Sequence, residues 1–414
     1  MMDKPQTLNP SQAAERLSLP DGPWKEHWQD SEPFREENPF YLQPGYLEEA
    51  CSFLRMDAEV SGVILAAARQ FGQNPAWQRF LCHGRHVLRD AERYGYREFM
   101  ALPAEAGDDG FCYVIAFLSA LPEIREMHAR RGVPEEITVA TLADLERWIR
   151  IYRQWYGRWG FGERNWLFHP FRGNLFQLGR LQFLLDRFED DMHLFRSPES
   201  GELRLLAPDL ARFRPDGQFD GTNGIRAENP ETAYFRETTE AFLGTLISPQ
   251  STVTGRQVSL GKQDWRKVLR KGDPALSFHI PASGPMDPGE CRESFRRALD
   301  FFSRHFPDRP FRAFFSHSWL YDPQLADYLP EQSNIIRFQR MFYLYPLPQT
   351  DDRQIFERVF SRTFSFSEMP TPKTTLQKAV LEHVRRGGHW RTSGALLLPE
   401  DASTEPDRRN QIPK

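Results

Sequence analysis

At 414 residues the chain exceeds what one ordinary hydrophobic core supports, so two domains are expected. A formal net charge of −4 gives no general pull toward nucleic acid or an anionic membrane, and any anion site must be local. The longest apolar runs, Val60 to Ala68 and Phe111 to Leu121, fall short of the roughly 20 residues of a spanning helix. The N-terminus lacks an apolar signal core, and Cys51, Cys82, Cys112 and Cys291 are too scattered for a disulfide framework, so a cytoplasmic protein with reduced thiols is expected.

Residues 1–45 are broken by Pro20, Pro23, Pro33, Pro39 and Pro44, with Trp24, Trp28, Phe34, Phe40 and Tyr41 between them. This texture predicts an extended arm whose aromatic side chains dock on a surface. From residue 46 to about 135 the period is helical: Val60, Val63, Ile64, Ala67 and Phe71 share a stripe that Trp77, Phe80, Leu81 and Leu88 continue. A helical domain is expected to close at the "RRGVPEE" break, Arg130 to Glu136.

The third segment, 136–400, opens on Thr141 and Asp144, which resemble a helix cap, before Leu142, Leu145, Trp148, Ile149, Tyr152 and Trp155 at helical spacing. Trp148, Trp155, Tyr156, Trp159 and Trp166 are core packing or the lining of an acceptor pocket. The run "LFQLGRLQFLL", Leu175 to Leu185, then alternates with period two and predicts one strand, on which Arg180 and Gln182 share a face. Further strands are expected at Ala241 to Ile247, Ala275 to Ile280, Arg312 to Trp319, Ile335 to Tyr345 and Ala395 to Leu398. Helices are expected at Ser294 to Phe306, Asp322 to Leu329 and Leu376 to Arg386, with a disordered tail over 401–414. No internal repeat is visible, and the fold class is α+β, a helical N-terminal domain before a mixed α/β domain.

The stretch "HIPASGPMDPGECRESFRRALDFF", His279 to Phe302, carries the most chemistry. Asp287 suits the N-cap, Pro288 the first helical position and Glu290 the third. These two carboxylates would repel a phosphate on the helix axis. On local chemistry the stretch is either a capped turn that requires no ligand or an off-axis anion cradle. The cradle would use the amides of Ala282, Ser283 and Gly284, with Arg292, Arg296 or Arg297 as counter-charges.

Cys82, His83 and His86, and the pair His317 and Asp322, fall short of the ligand number of a zinc or iron site, so no metal is expected. The basic stretches at Arg130 and Arg385 lie in acidic surroundings and do not make a nucleic-acid surface.

The phrases "LGRLQF" (Leu178 to Phe183), "HIPASGPMDP" (His279 to Pro288), "SHSWLYDPQLADYLP" (Ser316 to Pro330) and "SNIIRFQRMF" (Ser333 to Phe342) resemble a bacterial acyltransferase family. In that family a helical N-terminal domain precedes a GNAT-like C-terminal domain. The resemblance implies an acyl-coenzyme A donor, acetyl-CoA or a longer one, and direct attack by an acceptor, expected to be an amine. It implies a splay between the strands at Ala275 to Ile280 and Arg312 to Trp319, and a pyrophosphate loop at Pro281 to Pro288. The cofactor residues so implied are Ile280, Ala282, Ser283, Gly284, Arg292 and Arg296. For an acyltransferase His279 is a base candidate, His317 a second histidine that alternation places in the core, Tyr328 an acid candidate, and Arg180 and Gln182 acceptor-binding candidates. The loop has one Gly and three Pro where such enzymes carry more glycines. That leaves open a donor on an acyl carrier protein, or a non-catalytic scaffold that binds a small molecule or peptide.

Overall fold

The computed structural model describes residues 8–103, 109–282, 284–349, 351–360 and 369–402. Its contacts divide into two compact units, Met1–Gln177 and Leu178–Lys414.

The first unit is helical: α1 (Pro10–Arg16), α2 (Pro44–Phe53), α3 (Ala58–Gly72), α4 (Pro75–Arg89), α5 (Tyr96–Ala101), α6 (Phe111–Ser119), α7 (Leu121–Arg130), α8 (Glu135–Leu142), α9 (Asp144–Tyr156) and α10 (Arg164–Leu167). Asp57 caps α3 through the Glu59 amide, and Asn74 caps α4 with Pro75 at its first position, the pre-set φ that a helix start favours. The stripe read from the sequence is the buried one, with Val60, Ile64, Phe71, Phe80, Leu81 and Leu88 in the core. The N-terminal arm is not extended. It forms α1 and short 3-10 turns, and its Trp24 and Trp28 enter the same core. Arg79 lies over the Trp28 ring at 4.1 Å and donates to the Trp28 carbonyl, so the arm is held by charge as well as by apolar area.

The compact unit runs past the break at Arg130 to Glu136, because α8 and α9 bury Leu142, Leu145 and Ile149 in that core. Asp144 is not a cap. It is buried in the first turn of α9 and accepts from Trp166 Nε1 at 2.6 Å, while Thr141 ends buried in α8. Trp148, Trp159 and Trp166 pack against the core, whereas Tyr156 is exposed.

The chain then forms β1 (Leu175–Leu178), β2 (Leu181–Arg187), β3 (His193–Arg196), β4 (Leu203–Leu206), β5 (Arg212–Phe213), β6 (Glu231–Thr232), β7 (Phe235–Glu237), β8 (Ala241–Ser248), β9 (Thr252–Gly261), β10 (Arg266–Leu269) and β11 (Pro274–His279). After these come α11 (Pro288–His305), β12 (Phe314–Ser318), α12 (Asn334–Gln339), β13 (Tyr343–Pro346), α13 (Arg353–Phe360), α14 (Thr375–Arg385) and β14 (Ser393–Leu397). One sheet has the order β1-β2-β11-β12-β14-β13, a second β10-β3-β4-β8-β7 with β9 beside β8, and β5-β6 pair alone. Between the two large sheets lie Leu194, Leu205, Ile247, Phe315 and Leu396. On the other face of the first sheet, Phe278, Phe314 and Phe183 meet Phe295 of α11 edge-on, at ring distances of 5.0 to 5.5 Å.

Three expectations fail locally. The run Leu175 to Leu185 is two strands, because Gly179 adopts φ +73° and turns the chain. The expected strand Ile335 to Tyr345 divides into α12 and β13, since the Ser333 hydroxyl accepts from the Ile336 amide and caps a helical turn. Asp322 to Leu329 forms a 3-10 turn, Pro323–Asp327, rather than an α-helix. The tail beyond residue 402 lies outside the described residues.

Candidate active site

The first sheet contains an opening of its own making. β11 pairs with β12 in parallel only over Leu276–Phe314 and Ser277–Phe315. Beyond that point β11 continues against β2 to the His279–Gln182 pair, and β12 continues against β14 to the Ser318–Ser393 pair. Two strands that each keep their outer partner while losing one another must diverge, so a wedge opens after Ser277 and Phe315. This is where the resemblance places the splay.

The loop leaving β11 is held by one side chain. Arg180 donates to the carbonyls of Pro281, Gly284 and Pro285, each at 2.9 Å. Across a planar trans peptide the carbonyl and the next N–H point in opposite directions. The amides of Ala282 and Met286 are therefore directed away from the guanidinium, as donors on the loop's other side. Arg180 is itself fixed, because the buried Ser294 hydroxyl of α11 accepts from the Arg180 amide at 2.8 Å and donates to the Glu290 carbonyl at 2.9 Å. Asp287 caps α11, accepting from the Gly289 and Glu290 amides at 2.8 and 3.0 Å. Gly284 has φ +107°, a left-handed conformation that suits glycine. Ser283 lies outside the described residues. Among the arginines of α11, Glu293 pairs with Arg296 and Arg297, while Arg292 keeps a buried Nε with no hydrogen-bond partner.

A polar cluster occupies the face of the sheet that Ser277 shares with Phe315. His317 Nε2 lies 2.8 Å from an Asp190 carboxylate oxygen and 3.2 Å from the Tyr345 hydroxyl, which donates to the same oxygen at 2.6 Å. His317 is about a third exposed at its side chain and is not the buried core histidine that strand alternation suggested, because it lies beyond the last β11–β12 pair. Tyr345 is fully buried, and burial together with the Asp190 charge holds its phenol well above the usual range, so it stays a donor. A histidine backed by a carboxylate, with one edge open, has the arrangement of a general base.

The other candidates separate. His279 Nε2 is 3.0 Å from the Ser277 hydroxyl on the same face of β11. Gln182, nearly fully buried, is its cross-strand partner on β2, whereas the Arg180 guanidinium is bonded to the loop after β11. Tyr328 belongs to a different cluster, with its hydroxyl 3.1 Å from His383 Nδ1 and its ring against Trp390. Asp190, Tyr345 and Gly394 escaped the sequence reading. The one available signal was the glycine inside the strand-like "SGALLL", which marks a close approach. Among the described residues no group of three or more His, Cys, Asp or Glu could hold a metal ion, and no helix is long and apolar enough to cross a membrane.

Residues 45–173 match the family described as N-acyltransferase N-terminal domain, and residues 175–397 match the family described as GNAT-like C-terminal domain. No curated protein matches the chain. Among solved structures, an acyltransferase in complex with decanoyl-CoA is similar over 94% of this chain and 98% of its own, with 26% identity and a TM-score of 0.65. An acyltransferase in complex with decanoyl-CoA and teicoplanin (25%, TM-score 0.64) and a mutant acyltransferase in complex with octanoyl-CoA (25%, 0.63) are each similar over 94% of this chain and 99% of theirs. With both halves matched, the second over more than half of its length, the chain belongs to the acyltransferases that join an N-acyltransferase N-terminal domain to a GNAT-like C-terminal domain.

Proposed function

We propose that the protein transfers a medium-chain acyl group from coenzyme A to an amine on a bulky polar acceptor. The observation that carries this reading is the wedge between β11 and β12 with the His317–Asp190–Tyr345 cluster on its face. The pantetheine arm lies along β11 beyond Ser277, as an added strand would. The pyrophosphate sits on the Ala282 and Met286 amides with Arg292 as counter-charge, while Arg180 holds the loop from behind. The acceptor nitrogen attacks the thioester carbonyl as His317 takes its proton, with Asp190 stabilising the imidazolium and Tyr345 fixing Asp190. The tetrahedral intermediate then collapses, the C–S bond breaks, and the proton on His317 is available to the departing thiolate. His279, held by Ser277, lines the same face and orients the thioester. The chain length follows the octanoyl- and decanoyl-CoA of the similar structures, and the bulky acceptor follows the teicoplanin of one of them.

The test is thermal unfolding with CoA, acetyl-CoA, octanoyl-CoA and decanoyl-CoA, followed by mass-spectrometric detection of acyl transfer to amines. Ligand at about a hundred times its dissociation constant contributes roughly 2.7 kcal/mol, a shift of several degrees in a protein of this size. The expected order is decanoyl-CoA and octanoyl-CoA above acetyl-CoA. No shift with any of the four at millimolar concentration would remove coenzyme A from the mechanism.

A further inference from the structure

The β12–β14 ladder ends at the Ser318–Ser393 pair, one step past His317 and Gly394. Its register makes Trp319 and Thr392 the next pair, but after Ser318 the chain turns into a 3-10 helix, Trp319–Tyr321, and the ladder stops. The backbone amides released there need other acceptors. They find two glutamine side chains from the chain that follows β13. The Trp319 amide donates to Gln354 Oε1 at 2.9 Å, and the Thr392 amide donates to Gln349 Oε1. Gln349 Nε2 donates in turn to the Trp390 carbonyl at 3.0 Å and to Asn223 Oδ1 at 2.6 Å, which fixes that side chain's orientation. The Thr392 hydroxyl lies 3.5 Å from Gln354 Oε1, so this one oxygen reaches both chains where the next rung would have been.

We propose that Gln354 is a positioning residue for the His317 base, pinning the end of β12 through the Trp319 amide while Gln349 pins β14 opposite. The inference rests on the reading of His317 given above. The half of β12 that carries His317 depends on such a pin, because beyond Phe315 the strand has lost β11 and keeps β14 alone. Its end lies two residues from His317, whose Nε2 is held 2.8 Å from Asp190. A misplacement of about 1 Å at a reacting group costs on the order of a hundredfold in rate. Trp319 is buried and Gln354 exposed, so the pin is a side chain outside the core, and its loss is separable from unfolding.

The test compares Gln354→Met, which keeps the length and removes the acceptor, with Gln354→Glu, which keeps an oxygen for the Trp319 amide. In the full chain, amide hydrogen exchange over Phe314–Trp319 is expected to quicken in Gln354→Met and to stay near the parent rate in Gln354→Glu. Turnover is read as CoA release from decanoyl-CoA with glucosamine as the amine probe. Gln354→Met is expected to lower kcat about tenfold, with decanoyl-CoA affinity within about twofold of the parent and a nearly unchanged unfolding midpoint. Gln354→Glu is expected to restore most of that loss. In a His317→Ala background Gln354→Met is expected to cost nothing further, because the pin then has no base to position. Unchanged exchange or parent-level kcat in Gln354→Met would overturn the inference and leave the base reading intact, as would an equal loss with and without His317. Parent-level kcat in His317→Ala would overturn the base reading, and this inference with it.

Discussion

Tyr345 and Gly394 face each other across the β13–β14 ladder, and the ring of the first lies over the backbone of the second. Gly394 is also the cross-strand partner of His317. One residue without a side chain thus lets a phenol cross β14 and reach a histidine two strands away. A methyl group at 394 would overlap the Tyr345 ring.

Gly394→Ala is therefore expected to displace that ring and break the cluster. Overpacking of this kind costs about 1–3 kcal/mol, read as a fall in unfolding midpoint, and kcat should drop at least tenfold. Tyr345→Phe removes only the hydroxyl and separates the two effects, with activity reduced and the midpoint less affected. Full activity in Gly394→Ala would show that the cluster does not take part in turnover.

Asp190→Asn and His317→Ala should each lower kcat by about 10²–10⁴, the usual contribution of a positioned base, with acyl-CoA affinity within about twofold of the parent protein. His279→Ala should cost less, since its partner Ser277 carries no charge. Steady-state kinetics with equilibrium binding of acyl-CoA separates these effects. A raised KM with unchanged kcat in His317→Ala would move the base elsewhere.

Arg180→Ala releases three carbonyls of the loop after β11 at once. The expected result is at least tenfold weaker CoA binding with a midpoint within a few degrees of the parent, because the guanidinium is partly exposed and the sheet beneath is untouched. Arg180→Lys, which lacks the planar fork, should recover little. Calorimetric titration of CoA into the three proteins decides this.

The pH profile of stability follows from neutral histidines. In the helical unit burial lowers His83 to about 3 and His128 and His169 to about 4. Below about 6.5 the unfolded chain takes up protons at these positions and the folded chain does not. Stability present above pH 6.5 is thus lost as pH falls toward 4, by up to about 1.4 kcal/mol per pH unit for each histidine. Unfolding midpoints from pH 8 to pH 5 should fall, with the steepest part below 6. His83→Gln should flatten the fall, and a midpoint constant over this range would contradict the neutral state of these side chains.

Periodicity located most elements because burial is written along a helix or strand one residue at a time. Val60, Ile64 and Phe71 on α3, and Leu276 and Phe278 on β11, show this directly. Asp287 and Pro288 likewise announced the start of α11. The errors arose where one residue outweighed a pattern. Gly179 turned an alternating run into two strands, and Ser333 capped a turn of helix inside an apolar run. The His317–Asp190–Tyr345 cluster was the least legible part. Asp190 and His317 are 127 residues apart, and no spacing rule links an acid in "FEDDMHL" to a histidine at the end of a distant strand. Arg180 was singled out for the acceptor but serves the loop, a role that depends on which carbonyls face it.

The wedge also bears on how the protein avoids its own kind. An open strand edge invites pairing by other chains and is an aggregation hazard when it lies at the rim of a sheet. Here the stretch of β11 beyond Ser277 is flanked by β2 on one side and faces β12 on the other. A polypeptide strand entering there would need about twice the 4.8 Å spacing between neighbours and room for side chains above and below. The gap between diverging strands begins narrower than that. The unpaired edge beyond Ser277 thus lies inside the sheet, bordered by the protein's own strands, and not at the rim where another chain would meet it first.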